Sequence, residues 1–170
     1  ADDGSEFPEW EEKGLGDIAT FSKGKGISKS DIDNDGQLEC IRYGELFTEY
    51  NELINIVKSK TNCNTNMVYS KDNDMLMPTS DVTPNGLSTS SALSKSGIIL
   101  GGDILIIRSK YLYNHFFSYV VSSNKKEIIR LVSGTAVFHI YAKDLKILKI
   151  NLPHLSEQAK IANFLSSIDN

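Results

Sequence analysis

The sequence predicts an α/β chain of the α+β kind: a β-rich body with short helices, followed by the start of a longer C-terminal helix. Three observations predict it. Short apolar or β-branched runs separated by turn residues fill most of the first 150 positions. Two stretches, Phe116–Ser123 and Lys125–Ser133, read as helices, with Ile128, Ile129 and Val132 on one face of the second. After Pro153 the apolar spacing changes to three and four residues, at Ile161, Phe164, Leu165 and Ile168.

In chain order, the strand-like runs are Glu39–Tyr43, Ile54–Val57, Met75–Met77, Asp103–Arg108 and Leu145–Ile150. Turn chemistry separates them: Asn34-Asp35-Gly36, Thr83-Pro84-Asn85-Gly86 and Gly101-Gly102. Ser156 is placed to cap the last helix, with Glu157 near its positive end. The stripe on that helix reads either as core packing or as the root of a helix that continues and docks on something else.

A chain of 170 residues fits one domain and can bury a real core. Its 40% hydrophobic and 24% charged content is ordinary for a soluble protein. No apolar run approaches the roughly 18 residues of a membrane span, and the acidic start lacks the pattern of a secretory signal. Cys40 and Cys63 match no metal spacing and read as free thiols, so a cytoplasmic location is expected.

The net charge of −4 argues against a phosphate-rich partner, but its placement matters. Six of the 22 acids (Asp2, Asp3, Glu6, Glu9, Glu11, Glu12) fall in the first 12 residues, which hold no base. Setting them aside leaves 16 acids against 18 Lys and Arg, a net of +2. From Asn51 to Arg130 nine bases face six acids, which permits a short nucleic-acid footprint.

The motifs that promise chemistry mostly fail on inspection. Asp31-Ile32-Asp33-Asn34-Asp35-Gly36 matches the first half of a calcium loop, but position twelve is Arg42 where a bidentate Glu is needed. It reads as a turn. Lys23-Gly24-Lys25-Gly26 lacks the Walker spacing and reads as a basic turn or a modest phosphate contact. His115, His139 and His154 are too far apart for a helical metal pair, and His139 reads as a structural hydrogen-bonding residue. Asp17, Asp81 and Asp103 are single carboxylates that nothing in the sequence gathers. No nucleophile elbow or Cys–His signature is present, so the chain reads as a binder that needs no cofactor. Arg108, Lys110, Tyr111, Tyr113 and Asn114 form the cluster best suited to base edges and phosphates; the alternative is a strand end with solvated charges.

Read in order, several segments resemble the target-recognition domain of type I restriction–modification specificity subunits. Trp10 with Leu15-Gly16-Asp17-Ile18 is similar to the family's opening, and Phe21–Lys29 to the Gly-Lys segment after it. The most specific match is Arg42-Tyr43-Gly44-Glu45-Leu46-Phe47-Thr48, in which Phe47 replaces the usual Tyr. Gly102-Asp103-Ile104, Gly134–Ile140 and the Pro153…Glu157-Gln158…Ile161…Phe164-Leu165 run complete the series, over residues 8–169.

The resemblance implies a recognition domain that reads one half of a split double-stranded DNA target and is not itself an enzyme. It implies partners: methyltransferase subunits, a restriction subunit that joins through the assembly, and a second recognition half. On this basis residues 1–8 are expected to be a flexible acidic N-terminus, 9–153 the recognition domain, and 154–170 the start of a spacer helix. Some 30–40 further helical residues are expected beyond it. Ile161, Phe164, Leu165 and Ile168 are assigned to docking of a partner helix. DNA contact is assigned to Lys25 and Lys60 on phosphates, with Arg108, Lys110, Tyr111 and Asn114 nearer the bases. Arg42, Tyr43 and Glu45 are assigned to the scaffold. Two other readings stay open: a recognition domain of a fused restriction–modification enzyme with its methyltransferase elsewhere in the chain, and a protein-interaction module.

Overall fold

The computed structural model describes Gly4 and residues 6–169. The first elements are β1 (Glu11–Gly14), α1 (Leu15–Ile18), β2 (Thr20–Lys23), β3 (Leu38–Ile41), α2 (Glu45–Thr48), β4 (Leu53–Ile54) and β5 (Ser59–Thr61). Next come β6 (Asp74–Pro78), β7 (Ser80–Asp81), β8 (Ser91–Leu93), β9 (Ile99–Leu100) and β10 (Ile104–Arg108). The chain continues through α3 (Asn114–Ser123), α4 (Lys125–Arg130), β11 (Ser133–Gly134), β12 (Phe138–His139), α5 (Ala142–Leu145), β13 (Lys149–Leu152) and α6 (Leu155–Ile168).

β10 explains the layering. Its run Ile104-Leu105-Ile106-Ile107 is buried throughout, and successive strand side chains point to opposite faces. Leu105 and Ile107 therefore enter one core with Met75, Met77, Leu15 and Phe117. Ile104 and Ile106 enter a second with Leu76, Ile41, Leu46 and Leu93. Pairing with β6 agrees, since Leu105 faces Met77, Ile107 faces Met75 and Ile106 faces Leu76. A strand clothed on both sides shows a continuous apolar run rather than alternation. Each such side chain contributes roughly 1.5–3 kcal/mol by burial.

β10 belongs to a five-stranded sheet of order β2-β10-β6-β8-β4. Smaller sheets, β5-β3-β9 and β11-β12-β7, flank it, and β1 pairs with β13. That last pairing is antiparallel, with Glu11 opposite Leu152 and Gly14 opposite Lys149. It carries the chain directly into α6. α3 covers one face of the main sheet, burying Phe116, Phe117 and Val121, and α6 packs on α3.

Three expectations change. The run expected as a strand over 145–150 begins on the last residue of α5, passes through a turn and enters β13 only at Lys149: the N–H groups of Asp144 and Leu145 bond Tyr141 O, which closes a helical turn first. The strand expected over 54–57 stops at Ile54, and Ile56 is exposed while Val57 is buried. The α6 N-cap is His154 rather than Ser156; its Nδ1 lies 3.5 Å from the Ser156 N–H and 2.9 Å from the Ser156 hydroxyl. The expectation for residues 1–8 falls partly on positions outside the described residues. Among the described residues no helix is long and apolar enough to cross a membrane.

The half-matched calcium loop is a turn. Asp33 accepts from Asp35 N at 2.9 Å and from Asn62 Nδ2 at 2.7 Å, while Asp31 accepts from the Ser28 hydroxyl at 2.6 Å. These carboxylates serve neighbouring donors, and no metal-holding group of His, Cys, Asp and Glu occurs among the described residues.

Candidate nucleic-acid interface

The most nucleic-acid-like cluster of the sequence lies at the C-terminal end of β10. There Arg108 Nε donates to Asp74 Oδ1 at 2.6 Å, and its Nη2 donates to Asp74 Oδ2 at 2.9 Å and to Tyr69 O at 3.2 Å. Asp74 is fully buried, so this two-pronged pair holds a carboxylate that has no water to solvate it. Hydrogen bonding to Asp74 pushes the Arg108 guanidinium still further above its usual value. The cation is thus held by the domain rather than presented to a ligand.

Asn114 is also held inside. It is 0% exposed, its N–H donates to Asn73 Oδ1 at 2.9 Å, and its Nδ2 donates to Asn73 O and to Ile107 O. Asn73 adopts a left-handed φ of 60° and donates its own Nδ2 to Leu112 O at 2.9 Å. Asn114 is therefore a corner brace between the 71–74 turn and α3. Its assignment as a base reader is corrected, because every approach to its amide is filled by protein.

Lys110 and Tyr111 remain open to solvent. Tyr111 is 47% exposed, and Lys110 Nζ sits 5.0 Å from its ring centroid. Both line a shallow groove of about 570 Å³ together with Lys71, Arg108 and the 16–20 segment.

Lys25 and Lys60 lie elsewhere. Lys25 N bonds Leu100 O at 2.9 Å and Gly24 N bonds Ile104 O at 2.9 Å, which puts Lys25 at the N-terminal end of β10. At ~3.3 Å per residue that is about 13 Å from Arg108. Lys60 sits on β5 opposite Glu39 of β3. Both side chains are exposed, and neither forms an ion pair with a described residue. Gly24, between Lys23 and Lys25, has a packing reason: a Cβ there would lie 2.0 Å from Gly101 O. The predicted readers are not one patch. They divide between the two ends of β10 and, for Lys60, strand β5 of a separate sheet.

The Arg42-Tyr43-Gly44-Glu45 segment is scaffold in its geometry. Buried Glu45 accepts from Arg42 N at 2.8 Å, from Arg42 Nη2 at 3.4 Å and from the Ser59 hydroxyl. One carboxylate thereby ties β3, α2 and β5. Nearby Cys40 is a free, buried thiol that burial pushes up to about 11. His139, expected to form hydrogen bonds, instead stacks on Tyr141 with ring centroids 6.0 Å apart.

On α6 the apolar stripe divides. Phe164 and Ile168 are 65% and 64% exposed, whereas Ile161 and Leu165 are half-buried. The residues that seat the helix are ones the sequence reading missed. Buried Gln158 donates Nε2 to Tyr111 O at 3.0 Å and to Pro153 O at 2.8 Å, and its Oε1 accepts from Tyr113 N at 2.8 Å. Trp10 Nε1 donates to Glu157 Oε1 at 3.0 Å. One signal was available: Gln158 falls four residues before Ala162, a polar group on the buried face of the helix.

The fold and its surface define an α+β module that offers loop and strand-end side chains on a doubly covered sheet. The chain belongs to the family of type I restriction modification DNA specificity domains, whose profile matches residues 8–170. It is 40% identical over 67 residues to the type I restriction enzyme MjaVIII specificity subunit of Methanocaldococcus jannaschii, covering 38% of this chain and 16% of that protein. Its fold is similar to the S subunit of a type I restriction-modification system from M. genitalium, with TM-score 0.66 and 20% identity over 98% of this chain and 40% of that one. The HsdS subunit of Thermoanaerobacter tengcongensis matches with TM-score 0.64 and 20% identity over 98% of this chain and 39% of that one. The chain thus spans about two fifths of the length of these solved relatives.

Proposed function

We propose that this chain reads one half of a bipartite double-stranded DNA target as part of the specificity subunit of a type I restriction–modification complex. The observation that carries the reading is the family match over residues 8–170, supported by a shared fold over 98% of the chain. In this reading the domain is non-catalytic and cytoplasmic and needs no cofactor; methyltransferase subunits modify the DNA and a restriction subunit cleaves it. Residues 9–153 form the recognition domain, and 154–170 start a spacer helix whose Ile161, Phe164, Leu165 and Ile168 face a partner helix. A second recognition half reads the other part of the target.

Four of the sequence-assigned contacts remain in the proposed interface: Lys25, Lys60, Lys110 and Tyr111. Arg108 supports them from its pairing with Asp74. Electrostatic phosphate contact makes affinity fall with salt, so the test is duplex binding by the whole subunit with its methyltransferase partners across a salt series. Binding that weakens steeply with salt and prefers one sequence supports the reading. Salt-independent binding, or none, sinks it.

A further inference from the structure

At the N-terminal end of β10 a cleft of about 540 Å³ opens between Lys23 and the segment that carries His139, Tyr141 and Lys143. Its floor is apolar, from Leu105 and Ile140. One wall is aromatic: His139 and Tyr141 stack with an interplanar angle of 24°, and Tyr141 is 48% exposed. Lys143 Nζ stands 5.6 Å from the Tyr141 ring centroid. On the opposite rim Lys23 Nζ lies 3.6 Å from Asp103 Oδ1.

Asp103 is the one carboxylate lining the cleft, and it is already occupied. Its Oδ1 also accepts from the Thr79 hydroxyl at 3.3 Å. Both partners of the Lys23–Asp103 pair are more than half exposed, at 60% and 51%. Exposed pairs hold weakly, so an incoming anion can draw Lys23 away. Lys143 forms no ion pair with a described residue, and the Tyr141 ring it stands over is one that a ligand would share.

An apolar floor, a flat aromatic wall and a cation on each rim match one chemistry: an anionic strand whose repeating unit carries a flat or apolar face. We propose that this cleft binds one nucleotide step of a DNA strand. Tyr141 lies against its sugar or base, and Lys23 and Lys143 hold the flanking phosphates. The proposal rests on the DNA-reading function above and moves the centre of contact to the end of β10 opposite Arg108. It also brings Lys25 into the same surface, two residues from Lys23.

The test uses the whole subunit with its methyltransferase partners and a fluorescent duplex of about 30 base pairs, titrated at several salt concentrations. Variants are Tyr141→Ala, Tyr141→Phe, Lys143→Ala and Lys110→Ala, each checked for an unchanged melting temperature. The expected result is a loss on the order of 10-fold for Tyr141→Ala with near-full binding by Tyr141→Phe, which keeps the ring. Lys143→Ala should lower the logarithmic salt slope by about one. Wild-type-like binding by both Tyr141→Ala and Lys143→Ala, with Lys110→Ala weakened, overturns the cleft and leaves the DNA-reading function standing. A wild-type assembly that binds no duplex overturns both.

Discussion

The two ends of β10 treat their polar residues in opposite ways. At the C-terminal end Arg108, Asn114 and the backbone of 111–113 are bonded to Asp74, Asn73 and Gln158. At the N-terminal end Gly24 and Gly101 cross at close range, and Lys23, Lys25 and Lys143 stay at the surface. The difference follows from what enters each end. Where the strand runs into α3 and meets α6, buried backbone groups need partners, and nearby polar side chains supply them. Where it meets the 24–26 and 101–102 segments, backbone groups bond one another (Gly24 N to Ile104 O, Lys25 N to Leu100 O, Gly102 N to Gly26 O), so the lysine side chains are not drawn inward. At the first kind of end Arg108 and Asn114 are therefore held by the domain, while Lys110 and Tyr111 stay open.

Substitutions can break this contrast, from strong to weak. Asp74→Ala should be the most damaging, since it strands Arg108 beside a buried void; a loss of about 3–5 kcal/mol in denaturant unfolding is expected. Gly24→Ala pushes a methyl group into the Gly101 carbonyl, and about 1–3 kcal/mol should be lost. Gln158→Ala removes three hydrogen bonds at the root of α6 and leaves Tyr113 N–H without its partner. About 1–3 kcal/mol is expected, with faster amide exchange at 111–113. Lys25→Ala and Lys60→Ala should leave stability within about 0.5 kcal/mol while each lowers the salt slope of duplex binding by about one. Asp74→Ala or Gln158→Ala proving neutral would mean that the C-terminal end is looser than its bonding indicates, and a neutral Gly24→Ala would mean the same of the N-terminal crossing.

A smaller effect follows from Cys40. Burial raises its folded-state value to about 11, above the ordinary thiol value of 9.0. A group raised on folding contributes stability that is complete below the unfolded value and lost as pH climbs through the folded one. Stability should therefore decline between about pH 9 and pH 11, and Cys40→Ala should flatten that decline in unfolding titrations.

Much of the scaffold was legible in the residues. The apolar run of Asp103–Arg108 announced a strand, and the stretch Phe116–Ser123 announced a helix, found as β10 and within α3. Other parts were not legible. The turn of α5 hid inside an apolar run because Leu145 and Ile150 are both buried, which strand and helix explain equally well at that length. The site was read less well than the fold. Arg108 and Asn114 have the chemistry of base readers, but their partners Asp74 and Asn73 lie 34 and 41 residues away, and no local pattern shows such pairing. The exposed Tyr141 was overlooked because Lys23, at the end of β2, and Asp103, in the turn before β10, are far from it in sequence.

The clamp on α6 has a mechanical consequence. Its first turn is fastened by Trp10, Tyr111, Tyr113 and Pro153, four points spread over the whole chain, while its far end presents Phe164 and Ile168 outward. That is the construction of a mast with a stiff footing and one stay, the Tyr119 hydroxyl donating to Asp169 Oδ2 at 2.7 Å. Any helical extension of about 30 residues would run about 45 Å, and a tilt of about 5° at the footing would swing its tip by about 4 Å. The aim of whatever such a spar carried would then be set by Gln158 together with the Trp10–Glu157 and Tyr119–Asp169 bonds.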